Sequence, residues 1–133
     1  MQEVTFNIWA ILVSGVISMV VGAIYYGPLF GKLWMKLTGI TEEDAKKAPP
    51  TNYLFAFIAY IVLAVIISVL LDFAGATKCL QGLCISVQVW LAFAVILLPV
   101  YLYEMKSKAL YLINIGYPLV VLIIIGPMLT KWV

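Results

Sequence analysis

The sequence predicts an all-α integral membrane protein: four transmembrane helices in an antiparallel bundle, with an amphipathic interfacial helix after the first span. Three observations carry that prediction. First, 65% of the 133 residues are hydrophobic and only 11% are charged. A soluble domain carries about 25% charge, so this chain cannot cover its apolar surface and must face mostly lipid. Second, the charges leave four long gaps. Between Glu3 and Lys32 lie 28 uncharged residues, between Lys47 and Asp72 24, between Lys78 and Glu104 25, and between Lys108 and Lys131 22. Third, each gap is continuously apolar and about twice a barrel strand in length, which excludes a β-barrel. About 20 apolar residues carry a helix across a roughly 30 Å hydrocarbon core. Inside lipid such a segment satisfies its own backbone only as a helix.

The predicted spans are about 7–26, 53–71, 79–103 and 109–130, within a single membrane domain over 1–133. The first is expected to be an uncleaved anchor. Met1-Gln2-Glu3 supplies no basic region, and no small-x-small site precedes a soluble domain. No lipidation motif is expected at either end.

Gly27-Pro28 interrupts the first run, and Pro28 suits the first position of a new helix. From there Leu29, Phe30, Leu33, Trp34 and Leu37 share one face and Lys32 and Lys36 the other. This predicts an interfacial helix at about 28–37, with Lys32, Trp34 and Lys36 at the level of the lipid headgroups. The loop 38–52 contains Thr41 as an N-cap before Glu42, Glu43 and Asp44. Glu42/Lys46 and Glu43/Lys47 fall at i,i+4, and Pro49-Pro50 stops this short helix.

The remaining connections are short, which predicts antiparallel neighbours. Lys32, Lys36, Lys46, Lys47, Lys106 and Lys108 fall on one side, against Lys78 and Lys131 on the other. The positive-inside rule then places loops one and three in the cytoplasm and both termini outside.

Within the spans, Ser14, Ser18 and Gly22 form a small-xxx-small stripe that predicts helix packing. Gln88 lies at about the same depth, and a contact with Ser14 or Ser18 is expected. Pro118 cannot donate to the Asn114 carbonyl, nor Pro99 to that of Val95. Such a break builds a binding site in transporters and a simple kink elsewhere. All eight Tyr lie towards the loop-one side, with Trp9 and Trp132 at the opposite boundary, as an aromatic belt requires. Tyr60 and Tyr117 lie deeper. With Asn114, Glu104 and Lys108 they are candidates to line a vestibule. The candidate polar pathway is Gln88, Asn114, Tyr117, Glu104 and Tyr26. Cys79 and Cys84, five apart on one helix, point too far apart to bridge and are expected to pack.

The segment Gly22-Ala23-Ile24-Tyr25-Tyr26-Gly27-Pro28-Leu29-Phe30-Gly31-Lys32-Leu33-Trp34-Met35 resembles the short prokaryotic membrane proteins grouped as domain-of-unknown-function family 1761. So does Leu112-Ile113-Asn114-Ile115-Gly116-Tyr117, with Tyr103-Glu104 upstream. The likeness covers almost the whole chain, although family members often have Trp where this chain has Tyr25. It implies a four-helix protein of a prokaryotic cytoplasmic membrane. It carries no activity, but it draws attention to Tyr26, Pro28, Trp34, Glu104 and Asn114.

With no His and no Arg, the chain has no imidazole base, no His-ligated metal and no guanidinium clamp. No intramembrane acid–base pair is assembled, so an enzyme is not expected. No cofactor or metal is expected either. The expected partners are the lipid bilayer and either further copies of the chain or other membrane subunits, not nucleic acid. The function expected is a structural or interaction module, as a homo-oligomer or an accessory subunit. The alternative is a small-solute transporter or channel built around Asn114 and Glu104.

Overall fold

The computed structural model describes residues 7–131, all in helices and the turns between them. Trp132, expected at a membrane boundary, lies outside the described residues. Helix α1 (Ile8–Ile24) begins at Asn7, whose side chain accepts from the Ala10 N–H at 3.1 Å. It then widens by one residue per turn over Tyr25–Leu29, where the Phe30 N–H reaches the Tyr25 carbonyl. Such a wide turn absorbs the N–H that Pro28 lacks. Pro28 therefore sits inside this wide turn, not at the first position of the next helix as expected.

Helix α2 (Gly31–Thr38) starts three residues after the expected boundary and ends on Gly39, in the left-handed region at φ 77°. Gly31 is buried because a Cβ there would lie 2.5 Å from the Tyr26 carbonyl. Helix α3 (Glu42–Lys47) has the expected cap: Thr41 and Asp44 each accept from the other's backbone N–H at 3.1 Å. The i,i+4 pairs Glu42/Lys46 and Glu43/Lys47 do not form ion pairs. Among the described residues only Lys106–Glu104 does. Exposed pairs gain little from being held in one geometry.

Helices α4 (Thr51–Ala74), α5 (Cys79–Tyr103) and α6 (Lys108–Lys131), with α1 and its wide turn, are the four helices long and apolar enough to cross a membrane. Helix α4 ends on Gly75 at φ 65°, with the Ala76 N–H bonded back to the Leu71 carbonyl. The α5–α6 turn makes the same reversal with a non-glycine residue, Met105, at φ 57°.

Helix α6 is central and packs against α1, α2, α4 and α5. The core lies where α1, α4 and α6 meet, around Ala10, Ala64, Ile67, Val121 and Ile125, all 0% exposed. The α5–α6 contact is closest. Gly82 and Ser86 of α5 meet Gly126 and Thr130 of α6. A Cβ on Gly82 would lie 2.6 Å from the Gly126 carbonyl oxygen, and one on Gly126 would lie 2.7 Å from the Gly82 carbonyl oxygen. Each glycine thus presents a Cα–H to the other's carbonyl, the close approach that small residues permit between lipid-embedded helices.

Candidate functional site

Polar chemistry gathers at the α2 end of the bundle, because α1, α5 and α6 each bring tyrosines there. Asn114 on α6 is its hub. Its Oδ1 accepts from the Tyr26 hydroxyl at 3.1 Å, and its Nδ2 donates to the Tyr101 hydroxyl at 2.8 Å. One amide thereby ties α1 to α5 through α6. The neighbouring Tyr25 hydroxyl donates to the Ile113 carbonyl at 2.6 Å and crosses over Gly116, where any Cβ would strike it. One turn deeper, Tyr117 donates to the Ser18 carbonyl at 2.5 Å, its ring lying against Gly22.

The rings make a continuous cluster. Tyr117 contacts Tyr25, Tyr26 and Tyr60, with centroids 5.9, 5.5 and 5.4 Å apart. Tyr26 also meets Trp34 edge-on at 5.9 Å, which fastens α2 to the bundle. Such edge and tilted arrangements add about 0.5–1.5 kcal/mol per pair beyond burial.

The helix breaks expected at Pro99 and Pro118 are absent, since α5 and α6 run through them unbroken, but carbonyls one turn before each proline accept from side chains of neighbours. The Ile113 and Ile115 carbonyls, flanking Asn114, accept from Tyr25 and from the Trp90 indole, the latter at 2.7 Å. In α5 the Ala94 carbonyl accepts from the Tyr111 hydroxyl at 2.6 Å. The acceptors are thus the carbonyls beside those of Asn114 and Val95. The proline ring crowds the i−4 carbonyl itself.

Beside the cluster, α1 and α4 leave a groove of about 580 Å³ walled by Met19, Gly22, Ala23, Tyr26, Tyr60 and Tyr117. It is aromatic and carries no charge.

The structure brings together Tyr26, Asn114 and Tyr117 of the expected pathway, with Tyr60 beside them. It does not bring in Glu104, Lys108 or Gln88. Glu104 lies in the α5–α6 turn and pairs with Lys106 at 2.7 Å. Its hydrogen bond and charge raise the Lys106 ammonium above the ordinary lysine range. The four-residue turn 104–107 puts the two charges side by side at the surface, where neither needs the membrane interior.

Gln88 is exposed on the outside of α5. Ser14 and Ser18 instead donate to carbonyls of their own helix, those of Ala10 and Gly15, at 2.8 and 2.6 Å. The cause is angular. Ser86 faces the α6 seam, and two residues on, a helix has turned through about 200°.

Ser14 and Ser18 are buried in the bundle, and Gly15 between them lies against Phe57 and Ile61 of α4. Lys32 and Lys36 are exposed on α2, with Trp34 half-buried behind them. Cys79 and Cys84 are free and exposed.

From the sequence Tyr25, Tyr101 and Tyr111 read only as members of an aromatic belt, and Trp90 and the Gly82, Ser86, Gly126, Thr130 seam carry no expectation there. The seam had a readable signal: Gly82/Ser86 and Gly126/Thr130 repeat the i,i+4 small-residue spacing of Ser14/Ser18. Among the described residues no three acids or cysteines converge on a point.

A family model described as "Protein of unknown function (DUF1761)" matches residues 9–130. No curated protein and no solved structure matches the chain.

Proposed function

The chain belongs to the DUF1761 family, whose description names no activity, and from that premise we propose that it works by association, as a structural or interaction module of a membrane assembly. One observation carries this reading: most of the polar side chains inside the bundle are already bonded, to one another or to backbone carbonyls, with Ser86 the buried exception. Tyr26, Asn114 and Tyr101 bond in a chain, Tyr25 and Tyr117 bond to backbone carbonyls, and Ser14 and Ser18 bond within α1. A conducting path needs polar groups free to exchange partners with a solute or ion, and relays usually need a charge deep in a span. All charges of the described chain lie in the loops or at helix ends.

The assembly sits in a prokaryotic cytoplasmic membrane, with α2, α3 and the α5–α6 turn on the cytoplasmic side. In a Cys79→Ser, Cys84→Ser background, Lys106→Cys is expected to resist an impermeant thiol reagent in intact cells. Labelling would reverse the orientation.

The groove beside Tyr26, Tyr60 and Tyr117 favours one second reading, a carrier for a small apolar or aromatic solute. Proteoliposomes distinguish the two. The interaction reading predicts solute flux equal to that of empty vesicles. A flux above that of empty vesicles that falls with Ala23→Leu, in the groove wall, would establish the carrier.

A further inference from the structure

We propose that α5 presents its Gln88 face to a second copy of this chain, forming a two-fold dimer in which the two Gln88 amides bond to each other. The proposal rests on the interaction reading and names its partner.

Gln88 is the tenth residue of the 25-residue helix α5. At 1.5 Å per residue it lies roughly 14 Å from the Cys79 end, near the middle of a hydrocarbon core about 30 Å thick. Its side chain is too short to reach either interface. It is exposed, and among the described residues its amide has no hydrogen-bond partner. An amide carries two donors and an acceptor, all costly to leave bare in lipid.

No other span has such a feature. The exposed residues in the middle of α1 are Leu12, Val16 and Val20, those of α4 are Ile58, Ala59, Val62 and Ile66, and those of α6 are Val120, Ile123 and Ile124. All are content in lipid. Helix α5 is also the least buried of the four spans.

Membrane insertion then selects the partner. Copies of one chain share one orientation, so a two-fold axis along the membrane normal sets each residue opposite itself at the same depth. A carboxylate or an ammonium in that place would repel its twin. An amide is complementary to its twin, because one donates while the other accepts. Cys84 and Ala92, one turn to either side, are exposed and small enough to let the two helices approach. Leu91 and Val95, also exposed, supply apolar contact on the same face.

Native Cys84 provides the test. The full chain carrying Cys79→Ser is oxidised with copper phenanthroline in its membrane. The expected product is a disulfide-linked species of twice the 14.8 kDa chain mass. Gln88→Leu in that background is expected to lower the cross-linked fraction about tenfold, and Gln88→Asn to restore part of it. Because Gln88 has no partner inside the bundle, Gln88→Leu should leave the circular dichroism and melting of the protomer unchanged. A control chain with Leu12→Cys as its only cysteine should not cross-link.

Native mass measurement in a mild detergent separates the two levels of the argument. A monomer overturns both this dimer and the interaction reading. A complex with a different protein, or a homo-oligomer indifferent to Gln88→Leu, overturns the Gln88 interface and leaves the interaction reading standing.

Discussion

Gly126→Ala is expected to destabilise the bundle by about 1–3 kcal/mol, in the range of overpacked cores. The new methyl would strike the Ser86 hydroxyl and lie 2.7 Å from the Gly82 carbonyl oxygen. Backbone sits on the far side of that contact, so no rotamer change relieves it. The helices must separate, and the separation loosens Thr130, whose hydroxyl donates to the Gly126 carbonyl at 2.9 Å. Detergent-titrated loss of helix, followed by circular dichroism, measures the effect.

Gly82→Ala should behave alike. The double variant should cost less than the sum of the two, because one displacement serves both. Ser86→Ala is the informative contrast. The Ser86 hydroxyl is buried and unpartnered, so its removal should be neutral or mildly stabilising. A seam indifferent to Gly126→Ala would show that α5 and α6 do not meet there.

Asn114→Leu should cost roughly 1–3 kcal/mol, for two interhelical hydrogen bonds lost and two tyrosine hydroxyls left without their amide. Its effect should be distributed. Tyr26 loosens at the α2 junction and Tyr101 at the end of α5, so proteolysis in loop 38–52 and in the α5–α6 turn should rise together. Tyr26→Phe removes one bond and should cost less than half as much. If the two loops responded independently, Asn114 would not be the hub that joins them.

The spans were legible because lipid imposes a length and a composition on any helix that crosses it. Charges mark where crossing stops, and the third predicted span coincides with α5 from Cys79 to Tyr103. Helix facing was far less legible. In water, an apolar stripe identifies the buried side. Here Leu and Val suit lipid and core equally, so α6, the central helix, carries no hydrophobic pattern that distinguishes it from α5.

Only small and polar residues break that degeneracy, and only some of them were read. Asn114 was recognised from its polarity and its place before Pro118. Its partners Tyr26 and Tyr101 lie 88 and 13 residues away, and no local pattern joins them. Gln88 was placed inward because a polar group in lipid needs a partner. The structure turns it outward, which moves the same physical requirement to the surface of the bundle. Glu104 was drawn to the cluster by nearness in sequence. The turn at Met105 instead hands its carboxylate to Lys106 at the exposed end of the bundle.

The central claim is that this bundle functions by association, with the polar side chains around Asn114 already bonded to one another or to backbone carbonyls. The most direct test is the mass of the native complex extracted from its membrane in a mild detergent. The account predicts a discrete assembly heavier than the 14.8 kDa protomer, with the chain in fixed stoichiometry. A protomer-mass particle would contradict it.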